Sequence, residues 1–186
     1  MIATLALMAM SSNAMAIVVD ATNNIPNNGV ATGVNLVVGQ AFSITADLDD
    51  LWSAGALPRW SNANGLVADL LATGTDESGE AFGTLIGKDW GMYFDPAGSG
   101  FSAPYGALVG RIGGTGSYFF VGTTFANTAA AAGELFLFYW DSVYTDNTSS
   151  INATVSAVPL PAAAWLLLSG LVGFAALGRR RPAAAV

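Results

Sequence analysis

The sequence predicts an all-β domain, an antiparallel β-sandwich, on three observations. Gly, Asn, Ser and Thr punctuate residues 17–157 every eight to twelve positions, the spacing of a sandwich or barrel. Between the punctuation lie short runs carrying β-branched or aromatic residues. No segment of useful length repeats its apolar residues at the 3.6-residue period before the C-terminal tail.

The elements follow in order. Residues 34–38 and 41–46 flank Gly39-Gln40, and in the second run Phe42, Ile44 and Ala46 share one face while Ser43 and Thr45 take the other. Residues 107–112 and 118–121 flank the turn Gly113-Gly114-Thr115-Gly116. Residues 135–140 are nearly all apolar, as expected of a strand buried on both faces, and residues 151–155 close the set. The stretch 128–133 reads as a connection, and there is no internal repeat.

The two ends read as addresses. Residues 1–16 hold an apolar run and then Ala14-Met15-Ala16, the small-x-small pattern of a signal-peptidase site, so export and a mature start at Ile17 are expected. A positive n-region is missing, and a short buried N-terminal strand or helix is the alternative. At the other end, residues 160–177 form an uncharged stretch of 18, enough for one C-terminal transmembrane helix in a thin bilayer. Arg179, Arg180 and Arg181 follow and would hold that side in the cytoplasm.

Composition narrows the chemistry. The 186 residues are 53% hydrophobic and 10% charged, with a formal charge of −7. All thirteen carboxylates lie between Asp20 and Asp146 against three basic residues there, Arg59, Lys88 and Arg111, a local −10 that excludes a nucleic-acid partner. With no cysteine and no histidine there is no disulfide, thiolate nucleophile, imidazole base, Ser-His-Asp triad or ordinary zinc site. Any metal would be hard and oxygen-ligated, calcium first.

Three constellations could carry chemistry. Asp141, at the end of a buried strand, is followed by Asp146 and Asn147, which with intervening carbonyls could wrap one cation; a solvated hairpin stabilised by Asx-turns is the alternative. Asp47, Asp49 and Asp50 read as a solvated loop, with nothing to face them across a cleft as a glycosidase pair would require. Trp52 and Trp60 could stack on sugar rings, with Asn62 and Asn64 bonding hydroxyls, although at least one of the indoles is expected in the core.

The tail Val158-Pro159-Leu160-Pro161-Ala162, its apolar span and its arginine stop closely resemble the PEP-CTERM class of sorting signals in the VPLPA form. That resemblance implies recognition and cleavage near the prolines by an exosortase-type membrane enzyme. It also implies release or attachment at the cell envelope, often alongside exopolysaccharide. The stretches GQAFSITA, residues 52–60, YGALVGRIG, FFVG and WDSVYTDNTSSINATV resemble the calcium-dependent PA-I type lectins, jelly-roll-like β-sandwiches that bind galactose. The lectin resemblance implies a calcium site of Asp141, Asp146 and Asn147 with backbone oxygens from Val143 and from Ala54 or Gly55, and sugar contacts from Trp60, Asn62 and Ser142. The loop after Asp141 is about two residues shorter than in that family, and the chain lacks the histidine used there on the sugar, so galactose specificity does not transfer. The insert 67–103 has no match in the family pattern. The expectation is therefore an exported, envelope-sorted or extracellular lectin-like binding module that is not an enzyme. A surface or extracellular-matrix component without a sugar site is the alternative.

Overall fold

A computed structural model describes residues 13–26, 28–95 and 99–158. The strands in chain order are β1 (Asn13–Asp20), β2 (Val30–Leu36), β3 (Ala41–Ala46), β4 (Trp52–Ser53) and β5 (Trp60–Ser61). Next come β6 (Leu70–Leu71), β7 (Leu85–Gly87), β8 (Met92–Phe94), β9 (Ser102–Pro104) and β10 (Ala107–Ile112). The last are β11 (Tyr118–Phe120), β12 (Thr124–Thr128), β13 (Gly133–Trp140) and β14 (Ser150–Ala157). Two four-stranded antiparallel sheets, ordered β1-β14-β3-β12 and β11-β10-β13-β2, make the two layers.

Alternation builds the core between them. Val34 and Leu36 of β2, Phe42 and Ile44 of β3, Leu135, Leu137 and Tyr139 of β13, and Ile151, Ala153 and Val155 of β14 all point into one buried cluster. Trp52 belongs to the same cluster: it is fully buried, its indole N–H donates to the Gly106 carbonyl at 2.8 Å, and its ring meets Tyr139 edge-on. The expectation that one indole fills the core is met by this residue.

The expected double-sided burial of residues 135–140 has a cause outside the sandwich core. The hairpin β8–β9, contributed by the insert, lays Tyr93 and Phe101 over Phe138 and Trp140 on the outer face of the second sheet. The Trp140 indole N–H donates to the Tyr93 carbonyl at 3.0 Å. A second insert hairpin, β6–β7, packs with Leu51, Ala72 and Ile86 in a small cluster of its own.

At the N-terminus, β1 pairs in unbroken register with β14 from Asn13↔Ala157 to Asp20↔Ser150, so it runs across the expected cleavage point after Ala16. Among the described residues no helix is long and apolar enough to cross a membrane. The expected span at 160–177, Pro159, Leu160, Pro161 and Ala162 of the sorting motif, and Arg179, Arg180 and Arg181 lie outside the described residues; Val158 is the last residue before them.

Candidate functional site

The second sheet delivers Asp141 to one end of the sandwich. β13 is a central strand of that sheet, and the chain leaves it at Trp140, so the next carboxylate starts at the rim of the core with only 6% of its surface exposed. Burial pushes its pKa up to about 6, and the charge of Asp146 adds to the shift. The backbone N–H groups of Ser142 (2.6 Å) and Val143, with the Asn147 side chain, pull the other way. The neighbouring Tyr139 phenol is buried without a hydrogen-bond partner among the described residues and is raised well above its ordinary pKa, first by burial and then by the two carboxylates.

Asn147 is 3% exposed. Its amide nitrogen donates to the Ala21 carbonyl at 3.0 Å, and its backbone oxygen accepts from the Thr22 hydroxyl at 2.9 Å. Its Oδ1 has no partner among the described residues. A buried acceptor left unmatched is costly, and such groups in folded proteins generally answer to a donor or a cation.

A backbone bridge joins this acidic loop to the tryptophan loop. Ser53 and Thr148 exchange N–H···O bonds of 3.0 and 3.1 Å, which sets Ala54 and Gly55 against Asp146. Gly55 has φ of 115°, a conformation that favours glycine, and a Cβ there would have to displace the Asp146 carboxylate that lies against it. The loop turns through a cis Leu57–Pro58 peptide and returns Arg59 to the same place. Arg59 Nη1 donates to the Ala54 carbonyl at 3.3 Å and lies 3.5 Å from Asp146 Oδ2, while its guanidinium sits 4.4 Å from the centre of the Trp90 ring. One positive nitrogen therefore already touches two of the oxygens expected to hold a cation. The Gly55 carbonyl accepts from the Ser53 hydroxyl at 2.7 Å, and Val143 is exposed at the loop tip.

A cavity of about 380 Å³ opens over these groups, lined by Arg59, Trp90, Tyr105, Asp141, Ser142 and Val143 among others. Its volume is that of a small-ligand site. Of the residues expected to touch sugar, Ser142 lines it. Trp60 and Asn62 line a separate, smaller cavity of about 110 Å³. Trp60 packs on Leu51, Ala72 and Ile86, and both ends of the Asn62 amide are engaged, with the Leu48 carbonyl at 3.1 Å and the Asn64 N–H at 3.0 Å. Trp90 and Tyr105 take the aromatic positions on the larger cavity, and nothing in the sequence pairs Trp90 with Asp141.

Asp47 accepts from the Asp49 N–H at 3.0 Å, and Asp50 accepts from the backbone N–H of Asn152 at 2.6 Å, so this acidic run closes a turn and is tied to β14. Among the described residues no three Asp, Glu, His or Cys side chains cluster as a metal site, so any cation here must draw on the Asn147 amide and on backbone carbonyls. The donor set is all oxygen and contains one orphaned acceptor, which suits a hard divalent ion.

No protein-family model and no curated protein matches the chain. Among solved structures it is similar to an "EclA N-terminal domain; PllA-like lectin", at 23% identity over 77% of this chain and 94% of that one, with a TM-score of 0.46. A likeness this distant carries no residue-by-residue correspondence.

Proposed function

We propose that the chain is an exported, envelope-sorted protein whose sandwich is a calcium-dependent carbohydrate-binding module. The observation that carries the reading is a buried carboxylate, Asp141, on the wall of an aromatic-lined cavity and hydrogen-bonded by the side chain of Asn147, whose Oδ1 has no partner among the described residues. Asp141, Asp146, Asn147 and the carbonyls of Val143 and of Ala54 or Gly55 would hold the ion. A bound calcium would supply open coordination positions for two vicinal hydroxyls of a sugar. Trp90 and Tyr105 offer apolar faces for the ring, and Ser142 a hydroxyl at the cavity wall.

The role is binding rather than turnover. Asp141 and Asp146 sit together in one loop, where an acid and a base would need to face each other across a scissile bond. Hydrolysis of an oligosaccharide, lost in Asp141→Ala, would reverse that assignment. The direct test is retention on immobilised sugars together with thermal melting. Calcium should raise the melting temperature, and EGTA should elute the protein. Failure of both would remove the lectin reading.

The Arg59–Asp146 contact favours a second reading, a surface or matrix component. There the guanidinium alone neutralises the loop, and the sandwich serves only for packing. In either case the tail would be handled by an exosortase-type enzyme, with the inner membrane as first anchor and the cell envelope or extracellular space, with its exopolysaccharide, as destination.

A further inference from the structure

The two ends of the sandwich differ in charge. Opposite the cavity, four segments meet: the turn at residues 37–40, the turn at 113–117, the connection at 129–132 and the close of β14 at Val158. Backbone bonds tie them together, with Gly39 N to Ala129 O and Ala129 N to Gln40 O at 2.8 Å, Gly113 N to Glu134 O at 2.8 Å, and Val158 N to Ala41 O at 2.9 Å. The Gln40 side chain adds a bond to the Val158 carbonyl at 3.2 Å. None of these segments contains a charged residue; the carboxylate that borders them, Glu134, accepts from the Gly33 N–H at 3.0 Å. The cavity end gathers Asp20, Asp47, Asp49, Asp50, Asp141 and Asp146 in its loops and strand ends.

This end presents apolar groups to solvent. Val38 is 66% exposed, Val37 and Val158 about 40%, and Ala130, Ala131 and Ala132 are exposed beside them. A cleft of about 520 Å³, floored by Phe42, Phe119 and Phe125, opens between Thr115 and Ala131 at this same end.

We propose that this end rests against the surface of a lipid bilayer, with the cavity facing away from it. The chain itself argues for that partner. It leaves the fold at Val158, and only Pro159 separates that residue from the uncharged stretch 160–177 and its arginine stop. If that stretch spans the membrane, one residue of backbone, about 3.5 Å, is all that lies between this end and the hydrocarbon boundary. Carboxylates there would lose hydration and be repelled by anionic headgroups, whereas Val, Ala, Gly and Thr would not. The eight residues of β13 at about 3.3 Å each then hold the cavity roughly 23 Å from the bilayer, open to ligands on the far side. The proposal rests on reading 160–177 as a span and is independent of the lectin reading.

The absence of native cysteine makes the test clean. Val38→Cys and Leu48→Cys, both at exposed sites and at opposite ends, are each labelled with a fluorophore in the full chain. The labelled proteins are reconstituted in phosphatidylcholine vesicles containing a headgroup spin-labelled lipid. Flotation with the vesicles reports the span, and quenching reports the orientation. The expected result is flotation of both proteins, with quenching at position 38 several-fold greater than at position 48. Flotation with equal quenching, or with stronger quenching at 48, overturns the proposed orientation while the span stands. Failure to float removes the span, and the proposal with it.

Discussion

The buried Asp141 carboxylate predicts that, without calcium, the protein loses stability as pH rises from 4 to 6. The group's ordinary pKa is 3.8, and it titrates near 6 in the fold. Well below pH 3.8 it is protonated in both states and costs nothing. Between the two values the unfolded chain ionises first, so the folded state falls behind, and above the folded pKa the deficit levels off. The full shift is worth about 3 kcal/mol. Because the cavity lets water reach one edge of the carboxylate, about 2 kcal/mol is the working figure, or about 6 °C in melting temperature for a domain of this size. Thermal unfolding in EGTA from pH 4 to 7.5, for the native chain and for Asp141→Asn, isolates the effect, because the other carboxylates contribute alike to both. The native curve should fall by about 6 °C relative to the variant across that window. Calcium, which requires the ionised carboxylate, should erase the fall. Parallel curves in EGTA would refute the assignment of a desolvated carboxylate at the strand end.

Three further outcomes follow from the same geometry. Arg59→Met removes the resident positive charge from Asp146 and the Ala54 carbonyl, and calorimetric titration should show calcium binding about fivefold tighter, on the order of 1 kcal/mol for a half-exposed ion pair. Trp90→Ala should weaken glycan retention by about tenfold, on the order of 1.4 kcal/mol, with little change in melting temperature because the indole is half exposed. Intact mass of protein recovered from the envelope should show a start at Ile17 and an end near Pro159–Ala162, and a chain still ending at Val186 would contradict sorting; cleavage after Ala16 would leave β1 the rungs from Ile17↔Ala153 to Asp20↔Ser150.

Much of the sandwich was legible because its local signals agree. The expected strands 41–46 and 107–112 coincide with β3 and β10, each bounded by turn residues and each alternating or continuously apolar as its position demands. Residues 34–38 are shifted: β2 ends at Leu36, and Val37 and Val38 are exposed in the turn, where hydrophobicity misleads because nothing covers them within the described residues. β1 was hidden by overlap, since residues that look like the end of a leader also pair with β14. β12 (Thr124–Thr128) escaped because an edge strand of small and polar residues has no apolar face to betray it.

That a loop follows Trp140 was legible for a similar reason, because an apolar run gives way there to Asp, Ser, Thr and Asn. The aromatic wall was not. Trp60 and Asn62 look like sugar contacts in sequence, yet the β4–β5 hairpin turns them toward the insert, while the insert itself supplies Trp90 to the cavity through the guanidinium of Arg59. A contact between residues 31 positions apart across an irregular segment leaves no periodic trace.

A glycan array probed with the full chain in calcium and again in EGTA tests the central claim most directly. The proposed site predicts a set of bound sugars that disappears in EGTA and in Asp141→Asn. Binding that ignores calcium, or no binding in either buffer, would contradict it.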